Sequence, residues 1–273
     1  MDRYDCYELC VQSPRHVTGF LRAVHGADPR VLREDFCGTA AISRRWVMEG
    51  RKAGLDCRAV GVDLDAEVLA RAEREVAEAD MSAWLRLERL DAVRATVEAR
   101  DACDVVFVGN FSIGYIHERG LLVKYLENSR RRLEMGGGGW GGGIFVCDIY
   151  GAGAKGAANA WTESGFTRKH PSRGRELVHY SWEHRDADPI TGMVTNAIHF
   201  RVELDGEVIA EMRDAFEYRW RLWSVPELRE ALVEAGFNST EVHQEIDGTP
   251  RALGHGREVN ASGIVCVVGR GEG

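Results

Sequence analysis

The chain has 273 residues, 31 of them glycine and 6 proline, and its formal net charge is -8 at pH 7. This length fits one large α/β domain, or a core domain with an insertion, and such a chain needs no disulfide or metal to stabilise it. The acidic balance argues against a general binder of polyanions. No apolar run reaches the roughly 20 residues of a membrane span and the first residues lack a secretory pattern, so we expect a cytoplasmic protein. None of the seven cysteines forms a C-x-x-C pair, and no metal site is expected.

In the first 150 residues, continuous apolar segments alternate with segments that have the 3.6-residue period of a helix. Apolar strands separated by helices are typical of a parallel sheet that is covered on both faces. The sequence therefore predicts an α/β core. Predicted strands span 31–34, 58–63, 85–90, 104–109 and 144–149, and predicted helices span 41–53 and 66–79.

The pattern changes after residue 150. Three segments alternate in side-chain character with a period of two residues and are joined by turn sequences, which predicts an antiparallel three-stranded meander inserted into the core. Ser224 and Glu227 then have the spacing of a capping box and predict a helix that ends near Gly236. The predicted strands of the meander span 176–185, 193–204 and 207–220, and strands 240–246 and 263–270 close the chain.

A glycine-rich stretch and two basic clusters could suggest a ligand site, but neither gives good support for one. Seven of the 31 glycines lie in 136–143, but this stretch lacks the Lys-Ser/Thr pair of a phosphate loop and is expected to be a connecting loop. The basic clusters 130–132 and 168–170 are short and are expected to form solvated faces. The second cluster could also be a mobile loop or attract an acidic ligand.

The segment between the first strand and the first core helix carries the clearest chemical signal. Residues 34–40 (EDFCGTA) form a short turn from a parallel strand into a helix. Such a turn presents backbone N–H groups and the positive end of the helix dipole to a ligand. The second strand ends in an acid, Asp63, and a carboxylate at that place suits the hydroxyls of a ribose. Ligands of open parallel sheets bind at the carboxyl ends of the strands, so both segments mark one candidate site.

Together these segments resemble the class I S-adenosylmethionine-dependent methyltransferases. The first motif of that family is an acid followed by a glycine-rich turn that often ends Cys-Gly-Thr-Gly. The closing segment 219–237, which ends in Ala-Gly-Phe, is similar to the family's last helix. The matches, in the family's order, are Glu34, Cys37, Gly38 and Thr39 in the first motif, Asp63 with Leu64 at the ribose, Asp91 with Ala92 at the adenine, and Asn110 with Phe111 in the loop facing the methionine part and the acceptor.

The resemblance implies a Rossmann-like, doubly wound α/β fold with a seven-stranded sheet, its last strand antiparallel, and a small antiparallel β insertion. Residues 1–150 and 218–273 are expected to form the methyltransferase core, and residues 151–217 an acceptor lid or a dimer interface. The implied activity is methyl transfer from S-adenosyl-L-methionine to nitrogen or oxygen of a small molecule. The implied cofactor-binding residues are Tyr7, Arg15, Glu34, Cys37, Gly38, Asp63, Leu64, Asp91, Ala92, Asn110 and Phe111.

The first turn departs from the family pattern at two positions. Phe36 and Ala40 stand where the family usually has glycines. A phenylalanine either restricts the turn to negative φ or strains it. Whether Glu34 or Asp35 is the acid that faces the methionine amino group stays open.

The N-terminal segment is expected to be partly helical. In related small-molecule methyltransferases such a segment closes over the cofactor, where tyrosine or arginine meets the methionine carboxylate. That role would fall to Tyr7 and Arg15. Ordinary packing of Tyr4 and Tyr7 on the sheet is the alternative.

The acceptor site is less defined by the sequence. The insertion resembles the lids of glycine and amino-sugar N-methyltransferases and would bring His179 and Tyr180 to the acceptor side. Tyr115, Tyr150 and Trp161 come from core loops that are expected to face the same cleft. An amine must be neutral to attack, so a nearby tyrosine or histidine could accept its proton. The candidates for such a catalytic role are Tyr115, His179 and Tyr180.

Two other classes of function are alternatives. Asn110, at the start of the loop after the fourth strand, is a residue that nucleic-acid methyltransferases also have there. However, Phe111 and Ser112 stand where the amino-adenine enzymes have two prolines, and no basic domain is appended. A non-catalytic protein that binds S-adenosylmethionine would keep only the cofactor site. The expected partner is a small-molecule acceptor, with no nucleic acid and no membrane, and a homodimer is left open.

Overall fold

The computed structural model describes residues 1–136, 142–150, 163–171, 174–246, 249–253 and 263–271. No helix within these ranges combines the length and the apolar character of a membrane-spanning segment. The α-helices are α1 (Arg3–Cys10), α2 (Pro14–His25), α3 (Ala41–Lys52), α4 (Ala66–Glu78), α5 (Arg119–Gly136) and α6 (Val225–Glu234). The strands are β1 (Val31–Asp35), β2 (Arg58–Asp63), β3 (Leu85–Arg89), β4 (Val105–Val108), β5 (Ile144–Tyr150), β6 (Glu163–Lys169), β7 (Glu176–Ala187), β8 (Met193–Leu204), β9 (Glu207–Arg221), β10 (Ser239–Ile246), β11 (Thr249–Ala252) and β12 (Ile264–Arg270).

The chain divides into two compact units. The α/β unit consists of Ser13–Gly151 and Trp223–Gly273, and the β-sheet unit consists of Met1–Gln12 and Ala152–Leu222. This division shifts the predicted start of the insertion by one residue and differs more clearly at two other places. The N-terminal helix α1 groups with the β-sheet unit, and that unit continues to Leu222 instead of ending at residue 217.

The α/β unit is built on an eight-stranded sheet with the strand order β11-β10-β12-β5-β4-β1-β2-β3. Strands β1 to β5 pair in parallel, and β12 is antiparallel to both β5 and β10. The predicted doubly wound sheet with an antiparallel last strand is therefore confirmed. The strand order reverses between β1 and β4, which places the first turn at the switch point where such sheets bind ligands.

One strand of this sheet was not expected from the sequence. The short strand β11 pairs with β10 at the edge of the sheet and contains Pro250. Proline lacks a backbone N–H and is compatible only with an edge position. A segment of four residues that includes proline gives no period-two signal, so the pattern predicts seven strands and not eight.

Each face of the large sheet is covered by helices that bury their apolar side. On one face Trp46 of α3 and Leu21 of α2 pack against Val105. On the other face Tyr125 of α5 and Leu232 of α6 pack in a second apolar cluster. All four residues of β4 are buried, as expected for a central strand with both faces covered.

The expectation that residues 130–132 form a solvated face is wrong at Arg132. Its side chain is fully buried and donates to the backbone carbonyls of Ala95, at 3.3 Å, and Thr96, at 3.4 Å. Three consecutive helical residues span most of a turn, so one of three arginines must point toward the sheet. Charge clustering alone does not reveal which one.

The β-sheet unit contains the antiparallel sheet β6-β7-β8-β9. The three predicted strands of the meander are present. The fourth strand, β6, includes Arg168 and Lys169, which the sequence assigned to a solvated face or a mobile loop. Within this unit α1 buries Cys6 and Cys10 in an apolar cluster with Phe200.

The helix α6 begins with the predicted capping box. The backbone N–H of Ser224 donates to Glu227 Oε2 at 2.9 Å, and the N–H of Glu227 donates to Ser224 Oγ at 3.3 Å. We expect Ser224→Ala to lower the free energy of unfolding by about 1 kcal/mol, because a helix N–H loses its acceptor. Ser224→Asp keeps an acceptor and is the matched control. Urea unfolding measures both variants, and equal stability of Ser224→Ala and the wild type would exclude a contribution from this cap.

Candidate functional site

The turn after β1 is held in an unusual backbone conformation. Phe36, Gly38 and Ala40 all have positive φ, at 59°, 54° and 56°. Of the two outcomes expected for Phe36, the strained one is therefore observed. Residues other than glycine adopt this region at a cost, and such conformations persist only where the surroundings fix them.

The carboxylate of Asp63 provides one such constraint. Its Oδ2 accepts the backbone N–H of Gly38 at 2.8 Å, and its Oδ1 accepts the N–H of Asp65 at 3.0 Å. Asp65 in turn caps α4 by accepting the N–H of Glu67. One half-buried carboxylate thus links the end of β2, the turn after β1 and the start of α4.

The two acids at the end of β1 have different partners. Asp35 is fully buried, forms an ion pair with Arg33 at 2.8 Å and accepts the hydroxyl of Tyr125 at 2.8 Å. Glu34 accepts the backbone N–H of Ser43 on α3 at 2.9 Å and also its hydroxyl. Successive residues of a strand point to opposite faces, so only one of these acids lies on the α3 side of the sheet, and it is Glu34.

Burial raises the pKa of Glu34 to about 7, although both hydrogen bonds from Ser43 act in the opposite direction. A carboxyl group with this pKa gains or loses its proton near neutral pH. Its ionised form is favoured by any cation that binds beside it.

The strand ends beyond β1 and β2 present further polar groups. Asp91 follows β3, is partly exposed and accepts the N–H of Val93 at 3.0 Å, while Ala92 is buried. The N–H of Leu90 donates to the backbone carbonyl of Asp63 at 3.1 Å, so the ends of β2 and β3 are joined. Leu64, next to Asp63, is an apolar side chain that is 62% exposed.

The turn after β4 contains the next pair of predicted site residues. Asn110 and Phe111 both have positive φ, at 54° and 62°. Their backbone N–H groups donate to the two carboxylate oxygens of Asp148 on β5, at 3.0 and 2.7 Å. Asp148 is not among the site residues predicted from the sequence. The signal that selected Asp63 and Asp91, an acid near the end of a predicted parallel strand, applies equally to it.

Aromatic side chains surround these turns. The ring of Tyr115 stacks on Phe36 with centroids 5.9 Å apart, and Tyr150 packs edge-on against Phe111 at 4.8 Å. Tyr115 is 43% exposed. The structure therefore brings Tyr115 and Tyr150 to the turns that carry the predicted cofactor residues. Trp161, the third aromatic candidate, lies outside the described residues.

A buried polar atom lies in the first turn. The hydroxyl of Thr39 is buried and has no hydrogen-bond partner among the described residues. Beside it, a Cβ added to Gly38 would meet no atom within 4 Å. The turn therefore offers open space next to an unsatisfied hydroxyl and the half-buried carboxylate of Asp63.

The remaining candidates belong to the β-sheet unit or lie apart from the turns. The ring of Tyr7 packs on Phe216, with ring centroids 5.0 Å apart. Tyr7 therefore packs on a sheet, as the alternative to cofactor binding expected, but on the antiparallel sheet of the β-sheet unit. Arg15 is exposed on the first turn of α2 in the α/β unit.

His179 and Tyr180 are adjacent on β7 and so point to opposite faces of the antiparallel sheet. His179 contacts the hydroxyl of Thr167 at 2.9 Å and Glu203 at 3.0 Å. Tyr180 stacks on Phe166 at 4.8 Å, and burial raises its pKa. A phenol with a raised pKa stays protonated near neutral pH and so is not available to accept a proton from an acceptor amine.

One cluster on the β-sheet unit has the composition of a metal site. Ligand atoms of Glu183, His199 and Asp214 lie within 4.8 Å of one another. His199 already accepts the N–H of Asp214 at Nδ1 and contacts Glu183 through Nε2 at 2.9 Å. The guanidinium of Arg185 forms ion pairs with both carboxylates. Arg185 thus offsets one of the two negative charges of this cluster and occupies both carboxylates.

No protein-family model matches the sequence, and no curated protein matches it. Solved structures, however, resemble the chain over nearly its whole length. An S-adenosylmethionine-dependent methyltransferase from Clostridium acetobutylicum matches with a TM-score of 0.67 at 17% identity, over 99% of this chain and 98% of that one. The sugar N-methyltransferase KedS8 from Streptoalloteichus sp. matches with a TM-score of 0.64 at 17% identity, over 99% and 93%.

A third structure is that of CalS10 from Micromonospora echinaspora, an amino pentose methyltransferase with S-adenosylmethionine bound. It matches with a TM-score of 0.63 at 14% identity, over 98% of this chain and 94% of that one. Likeness at these identities establishes the fold. The predicted methyltransferase fold, a Rossmann-like sheet with a β insertion, is therefore confirmed.

The raised pKa of Glu34 predicts a dependence of stability on pH. Between pH 4.5 and about 7 the native state holds a proton that the unfolded chain has lost, so this group lowers the free energy of unfolding as pH rises. Glu34→Gln removes the ionisation. Its stability relative to wild type should rise by about 3 kcal/mol from pH 4.5 to above pH 7.

Guanidinium unfolding at a series of pH values measures this difference. Glu78→Gln changes the same group at an exposed position and is the matched control. A constant stability difference between Glu34→Gln and the control across this range would contradict the raised pKa.

Proposed function

We propose that this chain is an S-adenosylmethionine-dependent methyltransferase that acts on nitrogen or oxygen of a small molecule. The observation that carries the proposal is the bond from the N–H of Gly38 to the Asp63 carboxylate at the switch point of the sheet. It joins a backbone turn suited to the amino-acid part of the cofactor with an acid suited to its ribose. The shared fold of the methyltransferase structures supports the same assignment.

The residues at the strand ends fit this cofactor. Each carboxylate oxygen of Asp63 accepts one backbone N–H and keeps a lone pair for a ribose hydroxyl. Leu64 offers an exposed apolar surface for the adenine, and Asp91 and Ala92 follow the neighbouring strand β3 in the order of the family's motifs. The unsatisfied hydroxyl of Thr39 and the open space at Gly38 suit a ligand that lies along the turn.

Glu34 is the better candidate for the acid of the first motif. Asp35 is engaged by Arg33 and Tyr125 inside the core, whereas Glu34 lies on the α3 side with a pKa near neutrality. A cationic ligand group beside Glu34 would favour its ionised form. We propose that Glu34 supports the turn and contributes negative charge toward the methionine amino group.

When bound, S-adenosylmethionine supplies a methyl group on a positively charged sulfur, and that charge disappears as the methyl group is transferred. The residues of the chain then have to hold and align the reactants, and alignment alone can contribute several kcal/mol to a reaction of this kind. An amine acceptor must also lose a proton. Tyr115 is the candidate that lies next to the first turn and is open to solvent, so we propose it, ahead of His179 and Tyr180, as the group that contacts the acceptor.

The acceptor class that we propose to test first is the amine of an amino sugar. Two of the similar solved structures are a sugar N-methyltransferase and an amino pentose methyltransferase. A methyl-transfer assay with S-adenosylmethionine over a panel of amino sugars, other amines, carboxylates and phenols tests the proposal. Transfer to a small amine is expected. Absence of both cofactor binding and transfer would overturn the assignment.

The β-sheet unit and the absence of a nucleic-acid partner form the last part of the proposal. We propose that the β-sheet unit is an acceptor lid or a dimer interface and that no nucleic acid is bound. Light scattering of the purified protein distinguishes the two roles, since only an interface requires a dimer. Tight binding of labelled RNA or DNA at moderate salt would favour a nucleic-acid methyltransferase instead.

The assignment of Asp63 to the ribose predicts a specific loss of affinity. Asp63→Asn removes the charge that strengthens hydrogen bonds to the ribose hydroxyls, and we expect S-adenosylhomocysteine to bind about tenfold more weakly. Asp65→Asn is the matched control, because it removes a charge two residues away while asparagine still caps α4. Calorimetric titration measures both variants. Equal affinities of Asp63→Asn and the wild type would reject the ribose assignment.

A further inference from the structure

The turn after β4 is unusual because two consecutive residues other than glycine are left-handed. Asn110 and Phe111 have φ of 54° and 62°. Residues with side chains avoid this region, and a pair of them persists only where other contacts fix the backbone. The turn therefore needs an external constraint.

Asp148, near the carboxyl end of β5, supplies that constraint. Its Oδ2 accepts the N–H of Asn110 at 3.0 Å and its Oδ1 accepts the N–H of Phe111 at 2.7 Å. Successive backbone N–H groups in such a turn form a concave site for an anion. Here that concave site is filled by a carboxylate of the chain itself, which lies 38 residues away in the sequence.

We propose that Asp148 is a positioning residue whose ionised carboxylate holds Asn110 and Phe111 in the conformation that binds the cofactor, so that protonation of Asp148 weakens cofactor binding. The proposal rests on the proposed function, since it assigns these two residues to the cofactor. Asp148 itself acts through the turn and need not contact the ligand.

Asp148 must be ionised to accept both N–H groups of the turn, because only the ionised carboxylate has two acceptor oxygens. A carboxylate presents two acceptor oxygens, whereas a protonated carboxyl group turns one of them into a donor that faces a backbone N–H. Burial raises the pKa of Asp148 to about 6, and the hydrogen bonds from Phe111 and Asn110 oppose this shift. As pH falls through about 6, the two bonds to the turn cannot both persist.

Among the residues that the structure describes, burial raises the pKa of Asp148 and no charged side chain contributes to the shift. Its partner in register on the neighbouring strand β12 is Cys266. On β5, Cys147 and Ile149 flank it, and Tyr150 follows two residues later. Thiols and phenols are neutral near pH 6. No ion pair involves Asp148 within the described residues, so its own protonation controls the charge at this place.

The test compares Asp148→Asn with the wild type in calorimetric titrations of S-adenosylhomocysteine at several pH values. Asparagine is the neutral isostere of the protonated acid and offers one acceptor instead of two. At about pH 7.5 we expect the variant to bind about tenfold more weakly. At about pH 5 the two proteins should bind with nearly equal affinity, because the wild type is then protonated as well. At each pH the dissociation constant of the variant is divided by that of the wild type. Glu34 titrates in both proteins, so its effect on binding drops out of this ratio.

Asp104→Asn is the matched control. The Oδ2 atom of Asp104 likewise accepts two backbone N–H groups, those of Arg30 and Val31 at 2.7 and 2.8 Å. These bonds lie at the amino ends of β1 and β4, away from the turns that we assign to the cofactor. Asparagine keeps one oxygen that can accept both N–H groups, so the affinity of the control relative to the wild type should not change with pH.

A ratio for Asp148→Asn that stays constant with pH would overturn the proposal, since a merely structural role predicts a constant ratio. So would an affinity equal to that of the wild type at about pH 7.5. A second measurement is independent of any ligand. The amide proton shifts of Asn110 and Phe111 should titrate with a midpoint near the Asp148 pKa of about 6 in the wild type and stay constant in the variant.

These measurements separate the two proposals. If the wild type binds no S-adenosylhomocysteine while the amide shifts still titrate, the proposed function fails and the positioning of the turn by Asp148 survives. If the wild type binds the ligand and the amide shifts do not titrate, the positioning role fails alone.

Discussion

The contact between the Asp63 carboxylate and the N–H of Gly38 is the constraint on which the site depends. It fixes the turn after β1 from the end of β2, and through Asp65 it also reaches the start of α4. The positive φ of Phe36 and Ala40 is stable only because the turn is held from outside in this way. Since a carboxylate oxygen can accept more than one hydrogen bond, the same group that shapes the turn remains available to a ligand.

The turn after β4 is constrained by the same kind of contact. There the carboxylate of Asp148 binds two successive N–H groups, as Asp63 binds the N–H groups of Gly38 and Asp65. Parallel strands end at a common edge, so an acid at one strand end can reach the turn that follows its neighbour. The site thus has a shape set by charged side chains bound to backbone, and its rigidity depends on their ionisation. This arrangement suits a reaction in which alignment is the main contribution of the protein.

Much of the α/β unit could be predicted from the sequence. Its parallel strands are continuous apolar segments with helices between them, and Asp63 and Gly38 stand at strand ends where the sheet geometry brings them together. The strand β11 and the burial of Arg132 could not be predicted, because a short edge strand has no periodicity and three adjacent arginines give no facing direction. Asp148 could have been found as another strand-end acid. Its bonds to Asn110 and Phe111 depend on strand pairing across the sheet, which local patterns do not encode.

We propose that the carboxyl ends of β1, β2 and β4 form one site for S-adenosylmethionine. A crystal structure of the protein with S-adenosylhomocysteine is the decisive test. We expect the ribose hydroxyls on the Asp63 carboxylate, the adenine between Leu64 and Asp91, and the amino-acid part along the turn of residues 36–40. A ligand bound elsewhere on the molecule, or an empty strand edge at saturating ligand, would contradict it.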